Sequence, residues 1–393
     1  EGVKLYTEKF GGMPTGNVEI PNRLSFDVEF YAKKLLTMTE AEVGHLYPTD
    51  EKGNKPVAYY WARTATCSNP SCRAEVPLLK GFYLANAPKK KFHLVPHIEN
   101  KNITFTISQG KHNYQEWNYR GNMTCPCCGN VTKIDFIKEQ SKKEGLKSRV
   151  IAIINDGING KEYSIPSEYI TSELNKEVPI VEKPKELLPL GYIQAFPLCS
   201  WGFKHWGDIF TNRQIYMLDC WLRNFDTIKT ALTESDYNKC LITFLAIWID
   251  RIAIANTSFG VYHTGREKLE RIMSRQSISM TFDYPESNPF CGKSGSAENQ
   301  LEWIIKYIES ECKSAFSATL ANSSSGEKNQ FASKTLSTVV TDPPYYDAIG
   351  YADCSDFFYV WLKRTLFDVY PLNFATPQTP KSEECTAIKH HHN

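Results

Sequence analysis

The sequence predicts an α/β protein interrupted by a β-rich module, and three features of the text predict it. A short apolar run, Thr338-Val339-Val340-Thr341, stops at Asp342-Pro343-Pro344-Tyr345. Two cysteine knuckles, Cys67 to Cys72 and Cys125 to Cys128, stand far upstream of that run. Around the knuckles the apolar residues alternate as they do in strands, whereas most of the remaining text has helical spacing.

Taken in order, residues 24–46 read as a helix with Phe26, Val28, Phe30, Tyr31 and Leu35 on one face, part of a core segment spanning 1–47. Residues 48–165 form the inserted module, with strand-like runs at Phe92–Val95, Ile103–Ile107 and Val150–Ile154. Residues 166–200 are rich in Pro and Glu and read as a returning linker. The remainder, 201–393, opens with two long helices at about 207–232 and 235–257. The apolar run Leu241–Ile249 in the second is too short to span a bilayer and ends in Asp250-Arg251, which makes it a buried helix. A Ser/Gly/Pro-rich connection over 274–298, an amphipathic helix over 299–316 and a loop over 317–334 lead to the apolar run. There is no internal repeat.

Val339 and Val340 are β-branched, as a buried strand requires. The two prolines after Asp342 forbid both further ladder hydrogen bonds and a helical turn before them. The chain should therefore leave the carboxyl end of the strand as a stiff loop, and in open α/β sheets ligands bind at that end. The loop offers a carboxylate, carbonyls without competing N–H groups, and an aromatic ring. A plain strand-ending turn has the same composition. Tyr346 and Tyr351 follow and could line a substrate slot, before a helix capped by Asp353 or Ser355 that carries Phe357, Phe358, Trp361 and Leu362.

Four thiolates from two tight turns are the requirement of a closed tetrahedral zinc site, and Cys67, Cys72, Cys125 and Cys128 supply them. Disulfides are the rival reading, but the other cysteines are scattered among apolar segments, as in a reducing compartment. Cys127 is the spare thiol, and His93, His97 and His112, between the knuckles, are weaker ligand candidates. A site closed by four cysteines makes the metal structural.

Asp342-Pro343-Pro344-Tyr345 resembles the catalytic tetrapeptide of enzymes that methylate the exocyclic amine of adenine or cytosine with S-adenosylmethionine. In that role Asp342 and the Pro343 carbonyl accept the two N–H bonds of the amine, which frees its delocalised lone pair. Pro344 stiffens the corner. Tyr345 stacks on a base swung out of the duplex, worth about 1–3 kcal/mol. Together with the knuckles, longer stretches make the chain resemble the family of adenine-specific DNA methylases containing a zinc ribbon. They are Gly44–Pro48, Trp61–Thr64 leading into Cys67–Pro77, Trp206–Gln214, Asn288–Phe290, and Thr341–Asp347 continuing through Tyr351–Leu362 to Thr379–Glu383.

That resemblance implies a Rossmann-like core with an inserted zinc ribbon, S-adenosylmethionine and structural zinc as cofactors, DNA as partner, and a cytoplasmic location without a membrane segment. N4 of cytosine, RNA bases, and a non-catalytic zinc-containing DNA-binding or complex-forming subunit are the alternatives. Family members also carry a glycine-rich Asp-Pro-Phe-x-Gly-x-Gly loop upstream of the ribbon, and no equivalent is found. Asp156–Gly160 and Asn288–Gly295 carry glycines but lack an evident strand–loop–helix context. The expectation is therefore a fragment, or one half of a split enzyme completed by an N-terminal segment or a companion defence or restriction subunit. His390 to His392 could belong to a purification tag.

Composition sets limits. With 393 residues, 41% apolar and 13% aromatic, two domains with sizeable cores are expected. A net charge of +1, from 45 basic and 44 acidic residues, gives no overall attraction to nucleic acid. The local basic candidates are Lys89–Lys91 and Lys142, Lys143, Lys147 and Arg149; Arg213, Gln214, Arg266 and Asn288 are polar residues without an individual assignment.

Overall fold

Two helices open the chain, α1 (Gly2–Phe10) and α2 (Arg23–Val43), the second started by Asn22, whose side chain accepts the Ser25 N–H at 2.9 Å. The computed structural model describes every residue except 1, 18, 159, 274–275, 314–315, 317, 321–330, 333–334 and 392–393. Most of the loop expected over 317–334 thus lies outside the described residues.

Strand β1 (Ala58–Thr66) is buried along almost its whole length. Its alternate side chains serve two different cores, as the twofold period of a strand dictates. Tyr59 and Trp61 face one apolar cluster, and Ala58, Tyr60 and Ala62 face another. After the short β2 (Glu75–Pro77) come two three-stranded sheets, β3 (Tyr83–Ala87), β4 (Lys90–Glu99) and β5 (Asn102–Gln109), then β6 (Asn118–Tyr119), β7 (Asn122–Thr124) and β8 (Val131–Thr132). Helix α3 (Ile134–Glu144) leads to the hairpin β9 (Ser148–Gly157) and β10 (Gly160–Ser164). Helix α4 (Glu168–Leu174) precedes two long helices, α5 (Asn212–Ala231) and α6 (Asp236–Ala255). The hairpin β11 (Val261–His263) and β12 (Lys268–Glu270), strand β13 (Asp283–Ser287), α7 (Ala297–Glu311) and α8 (Tyr351–Leu366) complete the order.

The central sheet runs β10-β9-β1-β13, with β2 also paired to β1. Helices α2, α5, α6, α7 and α8 cover one face, where Trp206, Trp221 and Trp248 are completely buried. The knuckle-bearing hairpins and α3 cover the other. The protein is thus mixed α/β. Among the described strands every ladder is antiparallel, so the parallel sheet of a Rossmann-like core is not found there.

Several expectations need correction. Val339 and Val340 do not form a buried strand: residues 338–345 are irregular, and Val340 is 91% exposed. β-Branched residues favour a strand only where a neighbouring ladder and a packed face receive them. The stretch 274–298, read as a connection, contains β13. Its Asp-Tyr-Pro-Glu-Ser text looks like loop, but Pro285 is tolerated because β13 ends the sheet. The buried carboxylates of β13 also find partners. Asp283 accepts from Tyr60 Oη at 2.8 Å and the Lys80 N–H at 3.1 Å. Glu286 meets Arg213. Because β13 pairs with β1, the sheet joins the 48–165 module to the 201–393 part. The 166–200 linker carries α4 and the buried Leu188, Phe196 and Leu198. Helix α8 begins at Tyr351, with Gly350 as N-cap and no side-chain cap, so Asp353 and Ser355 lie inside it.

Candidate metal centre and the acidic-proline loop

The two knuckles are the tips of two hairpins. Thr66 pairs with Glu75 at the base of the first, and Thr124 with Val131 at the base of the second. In the first, the N–H of Cys67 donates to Ala74 O at 2.9 Å and that of Cys72 to Asn69 O at 3.0 Å. In the second, the N–H of Cys125 donates to Asn130 O and that of Gly129 to Cys125 O, at 2.9 and 2.8 Å. Gly129 has φ 72°, a conformation that a side chain would strain.

These turns bring Cys67, Cys72, Cys125 and Cys128 together, with all four Sγ atoms within 4.8 Å of one another. Cys67 and Cys128 are 3.7 Å apart and Cys72 and Cys125 3.8 Å. Four thiolates at about 2.3 Å from a zinc ion define a tetrahedron with edges of about 3.8 Å. The cluster can hold a metal ion, and its donor set and edge lengths fit Zn2+. The backbone N–H of Asn130 lowers the Cys128 thiol to about 7, favouring the thiolate that a metal binds. Cys127 is half-buried beside the group, and none of the three histidines joins it. His93 turns to Gly110 O, His97 to Thr106, and His112 stacks on Tyr114.

A set of uncharged residues locks the two tips together. Asn130 Nδ2 donates to Ser68 Oγ at 2.9 Å, and the Ser68 N–H donates to Thr132 Oγ1 at 2.9 Å. Asn130 and Asn69 also point amides at Cys67 Sγ and Cys128 Sγ, at 3.9 and 3.7 Å. Cysteine spacing located the ligands. It could not locate these supports, whose residue types are ordinary turn formers.

The acidic-proline loop is built differently. Asp342, Pro343, Tyr345 and Tyr346 are exposed and Pro344 is half-buried; Tyr345 is 63% exposed. The Tyr345 N–H points at Tyr351 Oη, 3.4 Å away on the first residue of α8, so Tyr351 braces the corner. The Ala387 N–H donates to Tyr346 O at 2.6 Å. Gly350 is required at the junction, because a Cβ there would lie 2.5 Å from Asp353 Oδ2. The tail holds α8 as well. Asp356 accepts from Lys381 and Thr379, and buried His391 lies 2.7 Å from Asp353 and 3.2 Å from Glu384. One cavity is lined by residues 180–185 with His205 and Asp208, and another by residues around Arg63; Asp342 lines neither.

The basic and polar candidates divide. Lys90 pairs with Glu267 at 2.7 Å, Lys142 with Glu139 at 3.0 Å, and Arg149 Nη2 donates to Ile103 O. Arg213 and Asn288 are buried, Gln214 closes the capping box of α5, and Arg266 is exposed. Asp156 and Gly157 end β9 and Gly160 opens β10, where the two strands pair. Asn288–Gly295 does join a strand, β13, to a helix, α7, a context hidden by the strand's polar text. No family model, no curated protein and no solved structure matches the chain.

Proposed function

We propose that the chain is the zinc-ribbon-bearing part of a methyltransferase with a Rossmann-like core that acts on the N6 amine of adenine in DNA. The observation that carries this reading is the exposed corner at Asp342–Tyr345. Asp342 and the Pro343 carbonyl accept the two N–H bonds of the amine and turn its lone pair outward. Tyr345, already free of the core, stacks on the displaced base. S-adenosylmethionine supplies the methyl group, and the described residues include no glycine-rich turn of the family's pattern to hold it. Zinc, held by the four cysteines, acts through stability alone, because no ligand position is left open.

A second reading is a non-catalytic zinc-containing DNA-binding or complex-forming subunit. It is favoured by the ladders of the described strands, all antiparallel, which leave among the described residues no switch point of the kind that binds cofactors in open α/β sheets.

Methyl transfer from labelled S-adenosylmethionine to DNA tests the first reading, with calorimetry of cofactor binding beside it. Asp342→Ala should abolish transfer while changing stability by no more than about 0.5 kcal/mol, as expected of an exposed side chain. Equal turnover by the variant removes the mechanism. Cofactor binding neither by this chain nor by a version extended upstream favours the second reading.

A further inference from the structure

Arg63 lies on β1 and is only 6% exposed. Burying a guanidinium ordinarily requires a carboxylate against it. Arg213, nearby, obeys: its Nε and Nη2 meet both oxygens of Glu286, and that pairing outweighs burial and raises its pKa. Arg63 has no carboxylate partner among the described residues. Its Nε donates to Thr281 O at 2.9 Å and its Nη2 to Ser258 O at 2.9 Å, all neutral acceptors. The rings of Phe259 and Tyr284 lie 4.8 and 5.0 Å from its carbon centre. Burial lowers its pKa, countered only by Tyr284. Nη1 makes no hydrogen bond among the described residues.

This cation lines a cavity of about 520 Å³. Ligand sites are commonly of that size. The start of the 20-residue helix α5 lines the same space through Thr211, Asn212 and Arg213. Thr211 caps the Gln214 N–H, and the Ile215 N–H donates to Thr211 O. The N–H groups of Asn212 and Arg213 have no intrahelical acceptor and no other acceptor among the described residues. Two carboxylates, Glu177 and Asp208, also line the space. Glu177 is exposed, and Asp208 accepts from the N–H groups of Lys204 and His205.

We propose that this cavity is an oxyanion site that takes the phosphate group of a nucleotide-sized molecule, between the free edge of Arg63 and the first turn of α5. The site is independent of the corner at Asp342, and it stands whether or not the chain transfers methyl groups. Such a phosphate could belong to a free nucleotide or to a nucleic-acid strand, and the probes separate the two.

Calorimetry on the full chain would use inorganic phosphate, AMP, adenosine and a single-stranded oligonucleotide without terminal phosphates. AMP and inorganic phosphate should bind and adenosine should not. Binding of the oligonucleotide in place of AMP assigns the strand as the source. Arg63→Met should weaken phosphate binding about tenfold or more, since hydrogen bonds to a charged group are being removed. Should that variant fail to fold, Asn212→Asp decides: an acidic residue at the first helical position favours α5, yet it repels an anion, so folding is kept and binding falls. Failure of every phosphate probe to bind the parent protein, or unchanged affinity in folded Asn212→Asp, would overturn the proposal.

Discussion

The two hairpin tips and the acidic-proline corner are both tight turns with a chemical signature, yet they are held in opposite ways. The tips are closed by backbone hydrogen bonds, tied to each other through Ser68, Asn130 and Thr132, and anchored in a core by the buried Cys67, Cys72 and Cys125. The corner is open, with Tyr345 outward and braced by Tyr351 and by the tail at Ala387. A turn whose groups all satisfy one another is built for permanence. One whose carboxylate and ring face water leaves those groups to the solvent.

The largest effect that would break this contrast is at the tips. Cys72→Ser should release the metal, seen by elemental analysis, and unfold the hairpin tips, seen as lost amide protection. In small zinc domains metal binding supplies about 10–16 kcal/mol of folding energy. A parent protein without bound metal would remove the centre altogether. Next in size is the ion pair that anchors β13 to α5. Glu286 is completely buried, so Glu286→Ala leaves Arg213 unpaired and should cost about 3–5 kcal/mol in denaturant melts.

Asp250 sharpens the comparison from inside the helical layer. It is 4% exposed, its Oδ1 has no hydrogen-bond partner among the described residues, and burial raises its pKa well above the usual aspartate value. The folded state therefore favours the protonated acid. Its contribution is present below the unfolded pKa, about 3.9, and is lost as pH rises through the higher folded value. Asp250→Asn should be more stable than the parent above that window, by about 1–3 kcal/mol, and level with it near pH 3. Melts across pH check the sign. The smallest effect is Asn130→Ala, which should cost about 1 kcal/mol and speed metal loss to a chelator without changing the ligands.

The sequence made the metal centre legible because ligand chemistry fixes both residue type and spacing. Helices α2, α5, α6 and α7 were legible because their apolar faces repeat; the caps Asn22, Thr211, Ser235 and Ser296 came to light only in the structure. Strand β13 was hidden, since its carboxylates are acceptable inside only after Arg213, Tyr60 and Lys80 arrive from distant text. The error at Val339-Val340 had the reverse cause: local preference was read without a ladder to use it. The cavity around Arg63 left no local signal at all, as an arginine looks the same whether paired or alone.

Strand β1 carries a consequence for how this chain can change over time. Its odd-numbered rings at 59 and 61 answer to the helices, and positions 58, 60 and 62 answer to the ribbon side. Deleting or inserting one residue there would present each layer with the other's side chains. Neither layer can drift, shrink or be exchanged for a foreign one without the consent of the nine residues they share.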